Sequence, residues 1–120
     1  MGYNSKIFVV EKTMMYPNEE GKMFAIIIAS IEMAVFPDLR EVFKKETDCY
    51  IYADDGETEL TKDMRDDPLK EATIDAVIEC LEQFEEKEHY RRTSLLLGLL
   101  KGFDVDKDGW RNIAVLHYGH

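Results

Sequence analysis

The chain is expected to adopt an α+β fold, a mostly antiparallel sheet with helices packed on one face, in the order strand-strand-helix-strand-strand-helix-helix-strand. Three observations predict it. Runs rich in β-branched and aromatic residues come in pairs separated by turn sequences, a later stretch changes to 3.6-residue apolar periodicity, and one more short apolar run follows. With 120 residues and 45 % hydrophobic content, the chain suits a single domain covering residues 1–120.

The first strand is expected within residues 5–15, where Ile7, Phe8, Val9 and Val10 cluster, and the second within residues 22–36. Between them Pro17 and Gly21 mark a turn, so the two runs form an antiparallel hairpin. The unbroken apolar character of residues 24–31 predicts a fully buried second strand. Pro37 then opens a short helix over residues 38–46, with Leu39, Val42 and Phe43 at helical spacing and Lys44 and Lys45 in its last turn. A second hairpin pairs residues 49–53 with 57–62 around Asp54-Asp55-Gly56, a tight-turn signal because Gly accepts positive φ freely. From Pro68, residues Leu69, Ala72, Ile74, Val77, Ile78, Leu81 and Phe84 form an apolar stripe that predicts the longest helix. Another helix is expected over residues 88–103, ending at Gly102, and a last strand over residues 112–118.

Charge is distributed unevenly. Residues 54–88 hold fourteen acids against Lys62, Arg65, Lys70 and Lys87, which equals the net charge of −10 of the whole chain; the remainder is neutral. On the expected long helix Glu71, Asp75, Glu79, Glu82 and Glu86 follow one another at intervals of three or four residues, which places them on one face. At a 1.5 Å rise per residue their axial spacing is roughly 5 to 6 Å. Each like-charge neighbour costs about 0.2 to 0.5 kcal/mol, so a helix shaped only for its own stability would alternate signs. Asp54, Asp55, Glu57, Glu59, Asp66 and Asp67 extend the acidic surface along the hairpin and the following loop. Such spacing approximates that of phosphates on a nucleic-acid strand and suits a basic groove; the alternative is an ordinary solvated face. Direct binding of nucleic acid by this segment is not expected, since it would repel phosphate and Arg91-Arg92 is too small a basic patch to offset it.

Other constellations are weaker. Asp104, Asp106, Asp108 and Gly109 begin like a calcium loop, but Val115 stands where a bidentate Glu is needed, so a helix-to-strand turn is the better reading. His117 and His120 have no second ligand pair for zinc. Cys49 and Cys80 lack metal or redox spacing and are expected as free, buried thiols. No motif joins either cysteine to His89 or His117 for nucleophilic catalysis, and exposed carboxylates lack a pocket that would separate their pKa values, so the chain is not expected to be an enzyme and no cofactor or metal is expected. Neither a secretory signal nor a bilayer-length apolar run is present, which predicts a cytoplasmic protein without a membrane role.

Residues Thr47-Asp-Cys-Tyr-Ile-Tyr-Ala-Asp-Asp-Gly-Glu-Thr-Glu-Leu-Thr61, with residues 100–103 and 113–119, resemble segments of small uncharacterised proteins of phages and integrative elements of Gram-positive bacteria. The resemblance covers a minority of the chain. It implies a mobile-element accessory protein acting in the bacterial host cell, where several small acidic anti-CRISPR proteins occupy nucleic-acid grooves. The expected function is therefore that of a non-enzymatic, nucleic-acid-mimicking inhibitor of a basic nucleic-acid-binding protein such as a CRISPR effector nuclease. The alternatives are a regulatory adaptor or antitoxin-like module, binding through apolar surface near Trp110 and Tyr118, and a calcium-binding module.

Overall fold

The computed structural model describes residues 5–13, 17, 19, 21–33, 37–52, 56, 58–62, 68–85, 91–106 and 113–119. Its elements run β1 (Ser5–Lys12), β2 (Met23–Glu32), α1 (Pro37–Val42), β3 (Lys45–Glu46), β4 (Cys49–Tyr52), β5 (Glu59–Leu60), β6 (Lys70–Ala72), α2 (Ile74–Glu85), α3 (Arg91–Asp106) and β7 (Ile113–Gly119). Strands and helices are mixed around one curled sheet, consistent with the α+β class. The order differs from the expected one by two short strands, β3 and β6.

The described strands lie in the order β3-β6-β7-β1-β2-β4-β5. Antiparallel pairing joins β1 to β2, β1 to β7, β6 to β7, β3 to β6 and β4 to β5, while Met23 and Phe24 of β2 pair in parallel with Cys49 and Tyr50 of β4. The curl follows from connectivity. Strands β3 and β4 stand far apart in the sheet order, yet only Thr47 and Asp48 separate them in the chain, so the sheet must roll until its two arms meet. Thr47 N–H donates to Leu69 O (2.9 Å) and Met23 N–H to Asp48 O (3.1 Å), which fastens the crossing on both sides.

Two apolar clusters result. Phe8, Val10, Ala25, Cys49, Ile51, Leu69, Ala114 and Leu116 pack inside the curl. On the opposite face Ile7, Val9 and Val115 meet Leu39 and Phe43, Val77 and Leu81 of α2, and Leu96, Leu97 and Leu100 of α3.

Several expectations are corrected. Strand β2 is not fully buried: Ile26, Ile27 and Ile28 are exposed, next to a register shift opposite Val9 and Val10. No strand among the described residues covers residues 25–32 on the side away from β1, so an apolar run here signals an edge rather than a core strand. Helix α1 stops at Val42, where Phe43 N–H turns back to Arg40 O (3.2 Å), and Lys45 joins a strand instead of the last helical turn. The helix expected from Pro68 does not begin there and, with 12 residues against 16 in α3, is not the longest of the described helices. Leu69 points into the curl and residues 70–72 form β6, paired with both β3 and β7; the three-residue interval between Leu69 and Ala72 imitates a helical repeat but belongs to opposite faces of a strand. Helix α3 continues past Gly102 to Asp106, so Gly102 is not a cap.

Thr73 starts α2. Its hydroxyl accepts the Ala76 N–H at 3.2 Å and its carbonyl accepts the Val77 N–H at 3.2 Å, the pattern of an N-cap, with Asp75 in the positively polarised first turn. Thr73→Ala should lower stability by about 1 kcal/mol. A thermal melt should show a fall of about 4 °C.

Candidate acidic recognition surface

Helix α2 turns Val77 and Leu81 fully into the core, with Ile74 and Ile78 partly buried beside them. The opposite side carries Asp75, Glu79 and Glu82, all exposed. Their intervals of four and three residues keep them in one row about 10 Å long. Glu82 is partly neutralised by Lys101 of α3 at 3.2 Å. The last turn of α2 contains no basic residue to complement its negative end, so the helix terminus reinforces the acidic field. Glu59 is exposed on β5, opposite Tyr52. Asp54, Asp55, Glu57, Asp66, Asp67 and Glu86 lie outside the described residues, and no arrangement is assigned to them.

Glu71 is a correction. It sits in β6, is 8 % exposed, and forms no part of the helical row. Its carboxylate accepts hydrogen bonds from Lys12 Nζ at 2.9 and 3.0 Å, and the same ammonium reaches Asp48 Oδ1 at 2.8 Å. Lys12 comes from β1, Glu71 from one arm of the sheet and Asp48 from the start of the other, so a single cation clasps the curl. Burial works against the charged form of Lys12, but its hydrogen bonds to the Asp48 and Glu71 carboxylates and their charges prevail and raise its pKa above 10.5. The same bond from Lys12 lowers the pKa of Asp48 below 3.8. A sequence reading cannot separate this inward Glu from its outward neighbours, because the partners are 59 positions apart.

Other candidates are also placed. Cys49 and Cys80 are free; Cys49 is buried, its thiol raised in pKa by burial and in contact with Thr47 Oγ1 at 2.9 Å, whereas Cys80 is only half-buried. His117 is buried, its Nε2 lies 3.2 Å from Ser5 Oγ and its ring stands 5.3 Å from that of Phe43. Asp104 and Asp106 fall in the last turn of α3, Asp108 and Gly109, with Trp110 and His120, lie outside the described residues, and Val115, where a calcium loop needs a bidentate Glu, is buried in β7. Tyr118 is half-buried, edge-on to Phe8 at 6.4 Å. Among the described residues no group of three or more His, Cys, Asp or Glu could hold a metal ion. None of the described helices is long and apolar enough to cross a membrane.

Two features were missed at the sequence level. Phe24, Tyr50 and Tyr52 form an aromatic cluster with centroids 5.3 to 5.8 Å apart, beside the acidic hairpin. The Tyr-x-Tyr alternation signals two of them on one strand face, but the third arrives through the parallel β2–β4 pairing. Exposed Leu95 and Leu99 on α3 form the second feature. Comparisons with known protein families, with curated proteins and with solved structures find no match to this chain.

Proposed function

We propose that the chain is a non-enzymatic accessory protein of a mobile element that presents an acidic, nucleic-acid-like face to a basic nucleic-acid-binding partner, a CRISPR effector nuclease being the partner class that the sequence resemblance implies. One observation carries the reading: Asp75, Glu79 and Glu82 stand exposed in a row on α2, inside the segment that holds the entire net charge. A basic groove built for phosphates would attract such a row by the same long-range field, and the attraction would weaken with salt.

The test must spare Glu71 and Glu82, whose ion pairs belong to the fold. Affinity capture from a bacterial extract at low salt, with an Asp75→Asn/Glu79→Gln variant as control, should retain a nucleic-acid-binding protein on the parent chain. Retention by the variant should be about tenfold weaker. Duplex DNA should displace the captured protein. Equal retention by the variant, or indifference to DNA, would overturn the reading.

The exposure of Ile26, Ile27 and Ile28 favours a second reading, a regulatory adaptor that binds through apolar surface. Its capture would survive high salt and fail on Ile27→Lys.

A further inference from the structure

Helix α3 divides sharply into two sides. Thr93, Leu96, Leu97 and Leu100 face the core, whereas Arg91, Leu95, Gly98, Leu99 and Gly102 are exposed. Apart from Lys101, which reaches Glu82 of α2, these exposed residues and backbone position 106 fall within an arc of about 100° along the helix. Leu95 and Leu99 protrude, and Gly98 and Gly102 are notches: a Cβ added at either glycine would meet nothing within 4 Å. Each glycine weakens the helix relative to Ala, a cost in backbone entropy. Nothing inside the described chain requires that cost.

The charges of α3 are equally unfavourable to an isolated helix. Arg91 and Arg92 stand at its start and Asp104 and Asp106 at its end, with no acid in the first turn and no base in the last, the reverse of what the helix dipole prefers. Both anomalies disappear in one arrangement. We propose that α3 packs antiparallel against α3 of a second copy of this chain, about a two-fold axis between positions 98 and 99. In that register Leu95 is level with Gly102 of the other copy, Gly98 with its Leu99, and Arg91 with its position 106. Each protruding leucine meets a notch, each basic start meets an acidic end, and each charge lies beside the favourable pole of the neighbouring helix dipole. Residues 91–102 include Arg91, Arg92 and Lys101 but no acid, so this face also avoids the acidic segment that would drive two copies apart. The proposal is independent of what the acidic face binds.

Sedimentation equilibrium of the full chain should show a reversible monomer–dimer equilibrium. Gly98→Met fills the notch on an exposed site, so circular dichroism should be unchanged while dimerisation weakens at least tenfold. Arg91→Asp should weaken it as well, and Arg91→Asp/Asp106→Arg should restore it. A parent chain that stays monomeric at millimolar concentration would overturn the proposal. So would a dimer that tolerates Gly98→Met, one lost instead on Ile27→Lys, or failure of the charge swap to restore association.

Discussion

Lys12→Met should lower the unfolding free energy by about 3 kcal/mol in urea or thermal denaturation. The loss comes mainly from what remains. Removing the ammonium strands the Glu71 carboxylate in a site where its side chain is 10 % exposed, without a counter-charge. Asp48, with its side chain 69 % exposed, recovers water and contributes little. The double replacement Lys12→Met/Glu71→Leu should therefore recover most of the loss, because apolar groups of similar volume can replace a buried ion pair. Recovery of less than half would mean that the bidentate contact itself stabilises the fold. The pH profile gives a second reading of the same cluster. Asp48 has a lowered folded-state pKa, so its contribution is present above the ordinary value of 3.8 and is lost as pH falls through the lower folded value. Lys12 has a raised one, so its contribution is complete below 10.5 and is lost as pH rises through the higher folded value. Lys12→Met should flatten both arms.

Leu100→Ala should cost a similar amount, about 3 kcal/mol, and lower the melting temperature by roughly 10 °C. Leu100 is fully buried in the outer cluster, where α3 meets α2 and the sheet. Truncation removes its transfer free energy and leaves a cavity that helices anchored on both sides cannot close. Leu95→Ala on the same helix, measured at dilutions where the chain is monomeric, should change stability by less than 0.5 kcal/mol, since Leu95 is 58 % exposed. Equal losses at the two positions would mean that α3 is rotated relative to the packing described.

The parts of the fold that were legible in the sequence are those whose partners are local. The β4–β5 pairing was legible from its two flanking runs, and Gly56 does have φ +72°, but Tyr52 pairs with Glu59, so six residues rather than a tight Asp-Gly turn join the strands. Helix α2 follows from its apolar stripe, but its start after Thr73 was not anticipated, the helical pattern having been expected from Pro68. What escaped depends on distant partners. Strand β6 is three residues long and exists because β7 and β3 flank it, so its own residues carry almost no strand signal. The same holds for the candidate site. Asp75, Glu79 and Glu82 were correctly placed on one exposed helical face, because helical spacing is a local property. Glu71 was misplaced because its environment is made by Lys12, which the sequence gives no means of bringing near.

The exposed isoleucines of β2 change the meaning of the net charge. An apolar edge that no strand among the described residues covers is a template for strand addition by any passing copy, and growth along such edges has no natural end. At neutral pH the mutual repulsion of molecules bearing −10 keeps those edges apart, whatever else the acids do. The acidic segment is in this sense also a colloidal guard for that strand. Its protection would fade in acid as the carboxylates gain protons, leaving a folded protein that is least soluble where it is least charged.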